Sequence, residues 1–179
     1  MRDEFSAYCQ SLRKTATTRK DEHAEDHPCL WFDTEGEEAA QFYTSVFPNS
    51  RIVEVTRYGS AGPRAEGTVM TVSFELDGQK FIALNGGPDF TFSEAISFEV
   101  DCETQDEVDN FWSTLSEGGE EGPCGWLKDK YGVSWQIVPK VLYQLIGDPD
   151  REKSQRVMAA MLKMKKIEIA ELERAAAQN

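Results

Sequence analysis

The chain has 179 residues, of which 32 are Asp or Glu and 19 Lys or Arg, giving a formal net charge of −13. That length buries one substantial core, and acidity of this degree argues against a nucleic-acid partner, because phosphate binding needs a basic face. No apolar run approaches the roughly 20 residues of a membrane span, the N-terminus lacks the apolar region of a secretory signal, and four cysteines without C-x-x-C spacing read as reduced thiols in a cytoplasmic protein.

Residues 1–26 are polar and mixed in charge, with Phe5, Tyr8 and Leu12 at helical spacing, and read as a short helix followed by a loose linker. The folded domain is expected to begin at His27-Pro28, with Cys29 to Phe32 forming a strand apolar enough to be buried on both faces. Gly36 marks a turn. Ala39, Ala40, Phe42, Tyr43, Val46 and Phe47 then line one side of a helix that Pro48-Asn49 ends. Strands follow over 51–58, 68–76 and 80–84, the last two joined at Asp77-Gly78, while the glycines and Pro63 of 59–67 make a flexible loop.

After Asn85-Gly86-Gly87-Pro88 the pattern restarts with a strand over 95–101. A helix from Thr104 to Ser116 has its start set by the capping box of Thr104 and Glu107, and its end by Gly118-Gly119. Short strands are predicted near 122–125, 126–129 and 133–138, with Tyr131-Gly132 in the last turn. Past Pro139, residues 141–146 read as a short helix. Asp148 as cap and Pro149 in the first turn start a longer one, whose stripe of Val157, Met158, Met161, Leu162 and Ile169 packs on the domain or on a second subunit.

The chain therefore repeats itself. CLWFDTEGEEAAQFYTSVF (29–47) and ISFEVDCETQDEVDNFWSTL (96–115) each run from a strand through an acidic turn into an amphipathic helix, Phe42-Tyr43 answering Phe111-Trp112. Such a period is too long for a solenoid and suits a duplicated domain. The fold expected is α+β: paired β-α-β-β-β modules (27–88 and 89–140) forming a curved mixed sheet around a pocket, with extra C-terminal helices over 141–179. Each module carries helices on one sheet face, so its other face needs a partner, and the second copy is the nearest available.

Motifs for common chemistry are lacking: there is no G-x-S-x-G, no Walker loop, no H-E-x-x-H and no glycine-rich strand-to-helix turn for S-adenosylmethionine. The glycines at 86–87 lead into Pro88 and read as a crossing loop. Cys124 sits in a turn bordering the pocket with no nearby histidine to act as base, which favours a structural thiol. Glu38 reads as a solvated helix residue and Asp129 as a turn residue.

Long strings in this chain resemble the vicinal oxygen chelate superfamily, and within it the PhnB-like branch often labelled 3-demethylubiquinone-9 3-methyltransferase. They are PCLWF (28–32), EEAAQFY (37–43), GTVMTVSFELDGQKFIALNGGP (67–88), GGEEGPCGWLKDKYGVSWQIVP (118–139) and MAAMLKMKKIEI (158–169). The resemblance implies a pocket between modules, homodimerisation, and metal-ligand positions near Pro28, Ile82 or Ala83, Ala95 and Gln136. Gln136 alone of these offers a donor, and no histidine cluster exists, so no metal and no cofactor is expected.

Trp31, Phe74, Trp126 and Trp135 are expected on strands lining or bordering the pocket, with Asn85 and Gln136 offering directional hydrogen bonds and Cys124 at the border. Strand alternation sends about half of the aromatics into the core. The expected function is binding of a small molecule without a catalytic metal. The alternatives are a metal-dependent lyase, isomerase or dioxygenase of the same superfamily, which leaves catalysis open, and an interaction module using the C-terminal helix; the methyltransferase label is read as an inherited name.

Overall fold

The computed structural model describes residues 26–178, so the expected N-terminal helix, Cys9 and His23 lie outside the described residues. The first module runs β1 (Cys29–Phe32), α1 (Gly36–Val46), β2 (Arg51–Arg57), β3 (Val69–Leu76) and β4 (Gln79–Asn85). The second runs β5 (Phe98–Cys102), α2 (Gln105–Ser116), β6 (Glu120–Glu121), β7 (Trp126–Lys128) and β8 (Ser134–Pro139). Helices α3 (Lys140–Ile146), α4 (Arg151–Met161) and α5 (Ile169–Ala177) complete the chain. The sheet orders β1-β4-β3-β2 and β5-β8-β7-β6 are the same plan twice, each with one parallel pair (β1 with β4, β5 with β8) among antiparallel ones. The α+β class and the duplication are thus as expected, with two mixed sheets and no closed barrel.

Local chemistry sets the helix starts. The Gly36 N–H at the head of α1 is taken by the buried Asn85 Oδ1 at 2.8 Å, a tertiary substitute for a cap, and Glu37 and Glu38 occupy the positive first turn. At α2, Thr104 Oγ1 accepts from the Glu107 N–H at 3.2 Å, while the Glu107 carboxylate reaches back to the Glu103 N–H at 2.6 Å, one residue beyond the usual capping box.

Ladder register sorts the side chains. Leu30 and Phe32, Val72 and Phe74, and Phe81 and Ala83 share the face under Ala39, Ala40 and Tyr43 of α1. Val100, Cys102, Leu127, Trp135 and Ile137 share the corresponding face under Val108, Trp112 and Leu115 of α2. These two layers make one continuous core. The second module therefore meets the first on its helix-bearing side rather than covering its bare face. Aromatic rings stitch the seam: Tyr43 and Phe47 lie 5.5 and 5.4 Å from Trp135, Phe47 lies 5.2 Å from Phe111, and Phe81 lies 5.3 Å from Phe98.

Four local expectations are corrected. Strand β1 is buried on one face, since Trp31 is half-buried and Cys29 exposed on the uncovered side. The strand expected near 122–125 is instead β6, because Cys124 (φ 56°) and Gly125 (φ 83°) adopt left-handed backbone that a ladder excludes. The helix expected from Asp148 starts after Asp150, whose carboxylate accepts from the Glu152 and Lys153 N–H groups. It also breaks after Met161, where the Met164 and Lys165 carbonyls accept from the Cys124 and Gly125 N–H groups at 2.8 and 2.7 Å and Ile167 is fully buried. Val138, Leu142, Val157, Ile167 and Leu172 form this second, smaller core, placing the C-terminal helices in cis against β8.

Candidate functional site

The expected pocket residues divide by strand parity. Phe74 and Trp135 are core residues: Phe74 stacks on Phe81 at 5.3 Å, and Trp135 Nε1 donates to Asp129 Oδ2 at 2.8 Å. Asn85 is buried and spent on structure, accepting from Gly36 and donating through Nδ2 to Val69 O at 3.2 Å. Cys124 Sγ donates to Met161 O at 3.7 Å and helps to dock the C-terminal segment. Trp31, Trp126 and Gln136 lie on the faces turned away from α1 and α2, Trp31 on the first sheet and the register pair Trp126–Gln136 on the second, where the C-terminal helices cover only the Val138 end. The structure therefore brings Trp126 and Gln136 together and keeps Trp31 apart.

On the first sheet, Trp31 shares its face with Ile82, Leu84, Thr71 and Ser73. Its indole N–H donates to Gly87 O at 2.8 Å and its ring meets Phe90 edge-on at 5.0 Å, at the mouth of a cavity of about 420 Å³ that also takes in Phe92 and Tyr131. The glycine pair predicted as a crossing loop is needed for this: a Cβ at Gly86 would come within 2.2 Å of the Trp31 ring. Beside it, a larger hollow of about 710 Å³ lies between Pro63-Arg64 and the head of α1, where Arg64 Nη1 donates to Asp33 O at 2.7 Å.

On the second sheet, a hollow of about 380 Å³ is bounded by Trp126, Lys128, Ser134 and Glu94. Lys128 and Glu94 form an ion pair that raises the lysine and lowers the carboxyl from their ordinary values, chiefly through their hydrogen bond. Ser134 is 2% exposed. Its hydroxyl has no hydrogen-bond partner among the described residues. The sequence reading missed Ser134, although its place two residues before Gln136 puts it on the same face.

Asp129 is more than a turn residue. Its Oδ1 accepts from the Tyr131 and Val133 N–H groups at 2.8 and 3.1 Å, and its Oδ2 from Tyr43 Oη and Trp135 Nε1, both at 2.8 Å, so one buried carboxylate ties the last turn of the second module to α1 of the first. Burial raises this carboxyl above the usual range against the pull of the four donors, and burial followed by the Asp129 charge raises the Tyr43 phenol. Glu38 is exposed and accepts from Tyr131 Oη at 2.9 Å. Neither acid faces a cavity on the uncovered sheets with a free proton acceptor to offer.

The four positions expected to ligate a metal offer a single side-chain donor, the Gln136 amide oxygen. Pro28 offers its carbonyl to the Ile82 N–H at 3.0 Å, Ile82 faces the open side, Ala95 is exposed, and Gln136 Nε2 donates to Ser97 Oγ at 2.9 Å. Among the described residues no group of three His, Cys, Asp or Glu is placed to hold a metal.

A family model described as 3-demethylubiquinone-9 3-methyltransferase matches residues 24–138. A solved structure of a PhnB protein from Bacillus cereus is similar at 39% identity with a TM-score of 0.58, covering 65% of this chain and 99% of that one. Protein PA1353 from Pseudomonas aeruginosa shares the fold at 17% identity with a TM-score of 0.55, over 65% of this chain and 98% of its own. No curated protein matches the chain.

Proposed function

Because the chain belongs to the 3-demethylubiquinone-9 3-methyltransferase family, the PhnB-like branch of the vicinal oxygen chelate superfamily, we propose that it binds a small molecule on its uncovered sheet faces without a catalytic metal. The carrying observation is the donor set: the positions that would ligate an ion hold proline, isoleucine or alanine, alanine and a single amide, one side-chain donor where a catalytic ion takes about three. The faces themselves suit a small, partly apolar ligand, with Trp31 and Trp126 as walls and Gln136 as polar contact. Transfer of a methyl group from S-adenosylmethionine is not supported, since neither four-stranded mixed sheet has the doubly wound parallel order that carries such a cofactor.

A second copy of the chain is the cover for these faces. Phe90, which packs edge-on against Trp31, is 65% exposed and Ile96 is 75% exposed, apolar surface that a partner subunit would cover. Protein purified without chelator should contain no stoichiometric Zn, Mn, Ni or Fe by elemental analysis and should gain thermal stability with at least one member of a small-molecule library. A stoichiometric metal whose removal abolishes that gain would replace this reading with a metal-dependent enzyme. Sedimentation at micromolar concentration should return a dimer, and a monomer there would sink the second-copy cover.

A further inference from the structure

The hollow on the second sheet holds two side chains whose hydrogen bonding is incomplete. Three of the chain's four tryptophans donate their indole N–H within the protein: Trp31 to Gly87 O at 2.8 Å, Trp112 to Glu121 Oε1 at 3.1 Å and Trp135 to Asp129 Oδ2 at 2.8 Å. Trp126 has no side-chain hydrogen bond and no ring partner among the described residues, and it is half-buried against the hollow. Ser134, lining the same hollow at 2% exposure, carries the buried hydroxyl left without a partner. A buried donor left unsatisfied forfeits its hydration without a replacement bond, so a native site of this kind points to a missing acceptor.

Both residues carry a donor, and both line one cavity of about 380 Å³, the scale of a single ring system. The charges around it are unequal. Lys128 is neutralised by Glu94, and Glu120 and Glu121 remain on the rim with Lys165 3.5 Å from the latter, so the potential facing the hollow is negative.

The geometry points to this hollow as the binding site for a neutral planar ring bearing carbonyl or ether oxygens, lying edge to edge with the Trp126 indole so that its oxygens accept from Trp126 Nε1 and Ser134 Oγ, and to the acidic rim as the element that excludes anionic analogues. This assignment rests on reading the uncovered faces as binding surfaces and adds the ligand class and the two donors.

Coumarin and coumarin-3-carboxylate, titrated calorimetrically into the full chain, test it, since they differ by the excluded charge. Coumarin should bind saturably, and the carboxylate about tenfold more weakly, a discrimination of the size expected from one uncompensated like-charge approach. Trp126→Ala should weaken coumarin about tenfold through loss of the indole N–H and the apolar contact around it, and Ser134→Ala about fivefold through loss of one hydrogen bond. Ser134→Ala removes a group with no partner among the described residues and keeps the site testable if Trp126→Ala fails to fold. Equal binding of the two probes, or coumarin binding unchanged in Ser134→Ala, overturns the assignment. If coumarin does not bind while another library compound stabilises the protein, the ligand class is wrong and the binding function stands; if no compound binds, both fall.

Discussion

The two modules share a strand order but spend it differently. In the first, strands of 4, 7, 8 and 7 residues make a full sheet whose outer face has no cover among the described secondary-structure elements. In the second, β6 and β7 shrink to 2 and 3 residues, and the turn between them becomes the docking point of the C-terminal segment, through the Cys124 and Gly125 N–H groups. Duplication has therefore preserved the face that builds the shared core and released the other to diverge. What a repeat conserves is its burial pattern, since the core penalises change on every buried position, whereas an outer face answers only to its ligand or partner.

The largest effect should come from the group that makes the modules one body. Asp129→Ala strands the Tyr43 hydroxyl and the Trp135 N–H in the core and should cost about 4 kcal/mol in urea unfolding, with a lowered cooperativity as the modules separate. A loss under about 1 kcal/mol would mean the rings alone hold the seam. Ile167→Ala should follow at about 3 kcal/mol for a fully buried aliphatic, and it should raise amide exchange at Cys124 and Gly125 while leaving the first sheet unchanged. Exchange rising equally in both sheets would erase the contrast between them. Ser134→Ala should act in the opposite direction, stabilising the ligand-free protein by about 1 kcal/mol, because it deletes a buried hydroxyl without a partner.

The smallest effect is on pH dependence. Asp129 holds its proton more tightly folded than unfolded, so its contribution favours the fold fully below the unfolded carboxyl value of about 4 and is lost as pH rises through the raised folded value. Comparing urea midpoints of the parent and Asp129→Asn across that window isolates the term, and parallel profiles would show that the carboxylate does not titrate with folding.

Much of this was legible from local sequence. The Thr104 box, the Asp77-Gly78 turn and the alternation of β3 and β8 are encoded within a few residues, and they give two modules of the right order. Alternation, however, names two faces without saying which one meets the other module. Phe74 and Trp31 were thus equal candidates for the pocket until register placed one in the core and the other outside. The break after Met161 carries no glycine or proline in LKMKKIE; it comes from carbonyls that accept from a turn some 40 residues earlier in the chain, an influence no local pattern records. Asp129 was readable as a turn former, but its reach to Tyr43 was not.

That bond spans 86 residues, with consequences for synthesis of the chain. At about 5–20 residues per second, α1 emerges roughly 4–17 s before its partner carboxylate exists. During that interval Tyr43, Phe47 and Phe81 lack the second-module rings that seal them in the folded chain, so the first module waits with an open aromatic edge.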